Sequence, residues 1–357
     1  MFRVKTFLWR FGCIAALGFV FLGSVQSAEA KEVTTKVGSG KISTKNGKAT
    51  VNKTKKTVTL KKSGTYTLFG NIGTYRVVMS ASNLNVTLVI NNVTASHKTT
   101  SCICNSNSSS TLTVNLAKGS VNQLTGPSKF AFAAKKTKPD AVLYSEGNLK
   151  IAGKGKLIVK DSSSNGDAIG SGKVITMTGG TLQCTSNASD LQAKSITISG
   201  GTLHGTSKDT AIKAAEKVSI TGGTCDITAI DKGIQGKTGV TIKKGTIRIK
   251  TSHSTDKRFE DFRGITAGVS GKNGKTPVAG SITITGGTIH INSYGDCIHA
   301  ANNVTISGGN FLLVSTADDG IQAKAALTIT GTAKFSVKAK GKKTKGGTKN
   351  IAANIKI

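Results

Sequence analysis

The sequence predicts an all-β fold, a single-stranded parallel β-helix (solenoid) of about 22 residues per coil. Three observations carry that expectation. A glycine pair recurs at a nearly constant step, and short runs of alternating apolar and polar residues flank each pair. No repeat holds the run of helical-period positions that a leucine-rich or helical solenoid would need. A chain of 357 residues would otherwise suggest two or three domains, but a solenoid grows by repetition and not by adding cores. An apolar fraction of 37% excludes a wholly disordered chain, and 43 glycines without a three-residue period, beside only 3 prolines, exclude collagen.

In chain order, residues 1–30 come first. Arg3, Lys5 and Arg10 precede an apolar run from Phe11 to Val25, and Ala28-Glu29-Ala30 offers a small-x-small cleavage site, so this segment reads as a secretory signal peptide cut after Ala30. The apolar run is short for a membrane span and has no stop-transfer flank. An exported or cell-surface protein with no membrane span is therefore expected. It would keep 46 Lys plus Arg against 16 Asp plus Glu, and lose Trp9, the only tryptophan.

Residues 31–60 are rich in Lys and Thr and read as a cap or pairing strand. From 61 to 335 the chain reads as the β-helix proper. Up to about Lys173 its register is loose, with alternation in "YRVVMSAS", "VTLVINNVT" and "STLTVNLAKGS"; a separate N-terminal β-sandwich is the alternative there. Beyond it the coils become regular: "VITMTGGTLQC" from Val174, "SITISGGTLHG" from Ser195, "VSITGGTCDIT" from Val218, "SITITGGTIHI" from Ser281 and "NVTISGGNFLL" from Asn303. Glycine steps are 21 from Gly179 to Gly200, 22 from Gly200 to Gly222, 22 from Gly286 to Gly308 and 23 from Gly308 to Gly331. Residues 336–357 form a Lys-rich end.

A second motif marks another corner of most coils: "GDAIGSGK" from Gly166, "SDLQAK" from Ser189, "DTAIKA" from Asp209, "DKGIQGK" from Asp231, "GDCIHA" from Gly295 and "DDGIQAK" from Asp318. Its aliphatic residue (Ile169, Leu191, Ile212, Ile234, Ile298, Ile321) is expected to point inward. An aspartate lies one to three places earlier each time. Coils stack about 4.8 Å apart, so carboxylates repeated coil by coil would repel unless compensated. A hard divalent cation such as Ca2+ is the simplest compensation. Asp167, Asp190, Asp209, Asp231, Asp296, Asp318 and Asp319 are the candidate ligands; the alternative is that they cap turns by accepting from nearby backbone amides.

The "ITGGTI…DDGI.AK" coil, preceded by "SGTYTL" at Ser63 and "DAVLYSEGNLKIAGKGKL" at Asp140, resembles a secreted bacterial carbohydrate-binding β-helix family related in fold to calcium-dependent pectate lyases. The resemblance spans about residues 60–335 and implies a right-handed helix, bound calcium at the acidic corners and affinity for plant-type or acidic polysaccharides. This chain departs from that pattern. The paired Asp-Asp-Gly-Ile is complete only at Asp318 to Ile321, with Ser189, Thr210, Lys232 or Gly295 replacing one carboxylate elsewhere. Fewer ligands imply fewer or weaker sites.

The coil starting at Gly239 carries the main insertion, since the next equivalent strand begins at Ser281, 42 residues on. Its "HSTDKRFEDFRGITAG" puts Phe262 and Arg263 where paired aspartates should stand. A long loop on a rigid solenoid is a natural place for a binding surface. Lys194, Lys237 and Lys324 each fall three places after an inward aliphatic and make a candidate lysine row beside the aspartates. Lys194, Lys237, Arg263 and Lys324 are thus the candidate substrate-binding residues, for an anionic, uronate-type polysaccharide.

Export and the absence of a base-reading motif or interleaved aromatics set nucleic acid aside. Cys102, Cys104, Cys184, Cys225 and Cys297 lack zinc spacing and read as small buried hydrophobes. His97, His204, His253, His290 and His299 are scattered and read as structural. A noncatalytic, calcium-stabilised polysaccharide-binding monomer is the leading expectation. The alternative is a calcium-dependent, pectate-type lyase, which needs calcium on the uronate carboxylate and a base for the C5 proton.

Overall fold

The computed structural model describes residues 32–131, 140–252, 262–269, 276–341, 349–351 and 355–356, and among these it contains strands and no helix. The expected signal peptide lies outside the described residues. Parallel ladders stack eleven coils, from the strand Thr57–Leu60 to the strand Lys334–Lys338. A regular coil has three strands, as in Ile212–Ala214, Lys217–Ile220 and Thr224–Ala229. The expected step is visible in the pairing, where Ile196 lies against Val218 and Val218 against Val240.

The glycine pair makes the corner between the second and third strands of most regular coils. Gly223 has φ +81°, and a Cβ there would stand 2.8 Å from the carbonyl oxygen of Gly201 in the preceding coil. Both the left-handed backbone and the close approach exclude a side chain.

Inside, the predicted column of Ile169, Leu191, Ile212, Ile234, Ile298 and Ile321 is fully buried and stacked by strand pairing, with Ile265 completing it. Cys184 and Cys225 occupy aliphatic positions of the core, and all five described cysteines are free and buried.

The looser N-terminal half belongs to the same stack and forms no separate sandwich: Arg76–Met79, Ile103–Asn105, Ala141–Ser145 and Asp167–Ser171 pair in parallel, coil on coil. Its register is obscure in sequence because Gly64–Gly73 and Asn85–Ser96 each run through two faces, with bulges at Phe69/Asn71 and Asn71/Gly73. The Lys/Thr-rich segment supplies antiparallel strands. Val33–Val37 pairs with Gly40–Thr44, which pairs antiparallel with Gly64–Gly73. Thr57–Leu60 pairs antiparallel with Ala49–Asn52 and already parallel with Arg76–Met79, so the stack starts slightly before residue 61. At the other end, Lys349–Ile351 and Ile355–Lys356 return antiparallel to Ile321–Ala323 and Lys334–Lys338.

The insertion divides into two excursions around the short strand Ile265–Ala267. The first includes residues 253–261, outside the described residues, where Arg258, Glu260 and Asp261 fall. The second, from Gly268 to Gly280, folds back through an antiparallel bridge between Val269 and Val278.

Candidate functional site

The first strand of each coil is short, and these strands stack into one parallel sheet face: Ala141–Ser145, Asp167–Ser171, Leu191–Ala193, Ile212–Ala214, Ile234–Gly236, Ile265–Ala267, Ile298–Ala300 and Ile321–Ala323. Strand alternation turns the residue after each inward aliphatic outward. The outward row is therefore Tyr144, Gly170, Gln192, Lys213, Gln235, Thr266, His299 and Gln322. Two places further on, at the following corner, lie Lys194, Lys237 and Lys324.

A groove of about 910 Å³ runs along this face, floored by Tyr144, Gly170, Gln192, Lys213 and Gln235. Asp140 and Asp167 stand at one end, Lys194 and Lys237 on the corner side, and Val269 with Thr276 reach it from the second excursion. Past that excursion, a smaller cavity of about 230 Å³ is lined by Arg263, His299 and Lys324. The four predicted substrate residues thus divide between two neighbouring cavities on one face. They do not form a continuous row: the coils of Lys194 and Lys237 are separated by one carrying Ala215 at that position, and Gly268 and Ala301 come between Lys237 and Lys324. Lys194 is partly neutralised by Glu216 at 3.2 Å, on an exposed corner.

The aspartates need a correction. Pairing registers show that they do not make one ladder: relative to the inward aliphatic, Asp190 is one place before, Asp167, Asp296 and Asp319 are two, and Asp209, Asp231 and Asp318 are three. Only Asp209 with Asp231, and Asp296 with Asp319, are like positions on successive coils. The first pair is balanced without a metal. Lys213 Nζ is 2.9 Å from Asp209 and Lys232 Nζ is 2.7 Å from Asp231. Asp167 and Asp190 are buried, and the Asp167 carboxyl accepts from the Ser189 amide at 2.8 Å while Asp190 accepts from Ser186 Oγ at 3.0 Å. Burial, and then the charge of Asp140, push Asp167 up to about 8. Burial pushes Asp190 well above the usual carboxylate range.

Asp296, Asp318 and Asp319 come together, with one oxygen of each within 4.8 Å of the others. Arg263 Nε is 3.1 Å and His299 Nδ1 2.9 Å from Asp296 Oδ2, while Asp296 Oδ1 accepts from the Asp319 amide at 3.2 Å. Burial alone would raise Asp296; the His299 bond and the Arg263 charge outweigh it and hold it low. Burial, chiefly, lowers His299, so the neutral ring donates from Nδ1 to Asp296. Burial and then the charges of Asp296 and Asp319 push Asp318 up to about 7. This group could hold a metal ion. The donors are all hard oxygens, which suits a hard divalent cation.

Sequence reasoning missed Asp140, Tyr144, Gln192, Lys213, Gln235 and His299. Asp140 sits three places before the inward Leu143, in the same corner motif as the others. The next four and His299 share the place after the aliphatic, a position whose identity changes from coil to coil. His299 touches Asp296 of the acidic group and also lines the smaller cavity.

A family model described as carbohydrate-binding domain-containing protein matches residues 54–320. No curated protein matches the chain. Among solved structures, a polysaccharide lyase-like protein from C. thermocellum, determined as a gadolinium derivative, is similar with a TM-score of 0.51 and 20% sequence identity, over 86% of this chain and 99% of that one. At that identity the likeness concerns the fold. The family match covers most of the solenoid, including the grooved face, and the chain belongs to the carbohydrate-binding domain-containing proteins.

Proposed function

We propose that this is an exported, noncatalytic protein that holds an acidic, uronate-type polysaccharide along the grooved face, with calcium at Asp296, Asp318 and Asp319. The observation that carries the reading is the groove itself. It is open, and it has Lys194, Lys213 and Lys237 along a face on which a polymer can lie across successive coils. Amide side chains at Gln192 and Gln235 alternate with the ammonium groups and offer donors and acceptors to sugar hydroxyls. Lysines and carboxylates attract, and the resulting affinity is screened by salt. Bound calcium would add positive charge beside the Arg263 cavity and stabilise the coils that supply its ligands. No helix among the described residues is long and apolar enough to cross a membrane.

Affinity electrophoresis in polygalacturonate and in neutral cellulose derivatives tests this. Retardation by the acidic polymer, lost in high salt, is expected. Tight, salt-insensitive binding to the neutral polymer with none to the acidic one would overturn the reading.

One observation favours a second reading, the calcium-dependent lyase: Arg263, His299 and Lys324 surround one small cavity, and Asp296 holds both the arginine and the histidine. There a base would take the C5 proton of a uronate while the C4–O bond breaks and a C4=C5 bond forms. Growth of unsaturated-uronate absorbance on incubation with polygalacturonate and calcium identifies that activity; none is expected from the binding protein.

A further inference from the structure

Among the described residues Tyr144 is the one aromatic side chain lining the groove, and Gly170 of the following coil lies against it. Tyr144 and Glu146 project from the strand Ala141–Ser145 and its corner, and the positions beside them in the next coil are Gly170 and Gly172. A Cβ on Gly170 would lie 2.9 Å from the Cβ of Ala141, 3.1 Å from Tyr144 Cδ2 and 3.6 Å from Cε2. One on Gly172 would lie 2.6 Å from the Glu146 backbone oxygen and 3.1 Å from the Glu146 carboxylate. Neither glycine has the left-handed backbone that would itself call for glycine. What Gly170 provides is room for the Ala141 methyl and for the phenol ring, which leans over the next coil; Gly172 admits the backbone oxygen of Glu146 and then its carboxylate. The Tyr144 hydroxyl donates to Glu146 Oε2, which fixes the ring's orientation.

Resting on the groove reading above, we propose that Tyr144 is a sugar-stacking platform: its ring, anchored by Glu146 and seated over Gly170, receives the C–H face of a pyranose at the end of the groove beside Asp140 and Asp167. A sugar ring has an apolar face of weakly positive C–H groups and a polar rim of hydroxyls. An aromatic face carries the complementary negative quadrupole. Asp140 and Asp167 at this end and Gln192 on the next floor position can meet the hydroxyl rim, so apolar floor and polar rim occur together. This contact is indifferent to ligand charge. The groove then has two parts, a stacking end at Tyr144 and a charge-reading stretch from Lys194 to Lys237.

The test is titration calorimetry of the full chain with an oligogalacturonate and with a neutral oligosaccharide, at low and high salt, for wild type and for Tyr144→Ala, Tyr144→Leu and Tyr144→Phe. Loss of the aromatic face in the Ala and Leu variants should weaken binding about tenfold, with the loss persisting at high salt, while Phe stays within about threefold of wild type. Upfield shifts of sugar protons in NMR spectra of the wild-type complex, caused by the ring current, provide a readout that does not depend on a variant folding. Wild-type binding that Ala and Leu leave within about twofold, or bound sugar protons without upfield shifts, would overturn the platform alone. A wild type that binds no glycan would overturn the groove reading and the platform together.

Discussion

Asp167 and Asp190 lie within two places of an inward aliphatic residue, and burial decides what they do. Both are raised, so the folded chain keeps protons that the unfolded chain releases above about pH 4. Stability is therefore fully present below the unfolded carboxylate pKa and is lost as pH rises, for Asp167 through about 8. In chelator, the melting temperature should fall between pH 5 and pH 8, and Asp167→Asn should flatten the fall, as calorimetry would show; an unchanged slope would mean the carboxyl is already ionised. These aspartates also show what a sequence can hide. The recurring "D…I" strings are visible by eye, but whether Asp190 or Ser189 stacks on Asp167 depends on a one-residue register that only strand pairing fixes. Lys194 and Lys237 were legible because they keep a constant distance from the inward aliphatic. Tyr144, Lys213 and Gln235 were not, because their shared outward position changes residue type from each coil to the next, with Gln recurring only at Gln192, Gln235 and Gln322.

Among elements, the glycine corner and the inward column set the coil. Ile234 is fully buried and stacked between Ile212 and Ile265, so Ile234→Ala should cost about 2 to 5 kcal/mol in denaturant unfolding, as a cavity in a packed core. Gly223→Ala should destabilise by about 1 to 2 kcal/mol or more, since it must adopt φ +81° and also push on the Gly201 carbonyl. The regular coils from Val174 onward were legible because both devices repeat in each. The earlier coils were less so. Their strands run through two faces without a glycine pair, and Asn92, at φ 54°, turns one corner in place of glycine. The insertion was legible as extra length but not as two excursions, because the strand between them, Ile265–Ala267, is only three residues long.

For the whole molecule, the carboxylate group at Asp296, Asp318 and Asp319 ties the last coils together, since Asp296 belongs to one and the pair to the next. Calcium that binds only the folded chain should raise the melting temperature by mass action, and replacing Asp318 and Asp319 together by Asn should remove part of that rise. No calcium-dependent shift in the wild type would mean that protein groups, Arg263 and His299 at Asp296 among them, compensate these carboxylates without a metal. Lys237→Glu should weaken polygalacturonate retention at low salt and leave thermal unfolding nearly unchanged, because its side chain is exposed at a corner and makes no ion pair among the described residues.

The reversal of chain direction at both ends of the stack has a consequence for a protein made of stacked strands. Every interior ladder is parallel, so an uncapped terminal coil would present a template on which a second molecule could continue the same pattern, end to end, into a filament. On the face of short strands, Ala49–Asn52 at one end and Lys349–Ile351 at the other instead meet an incoming chain with strands of opposite polarity, as does Ile355–Lys356 on the neighbouring face. On those edges growth is opposed by direction, not by charge alone. Deleting residues 349–357 should therefore produce elongated, concentration-dependent assemblies in light scattering that high salt promotes; scattering no different from that of the intact chain would overturn this.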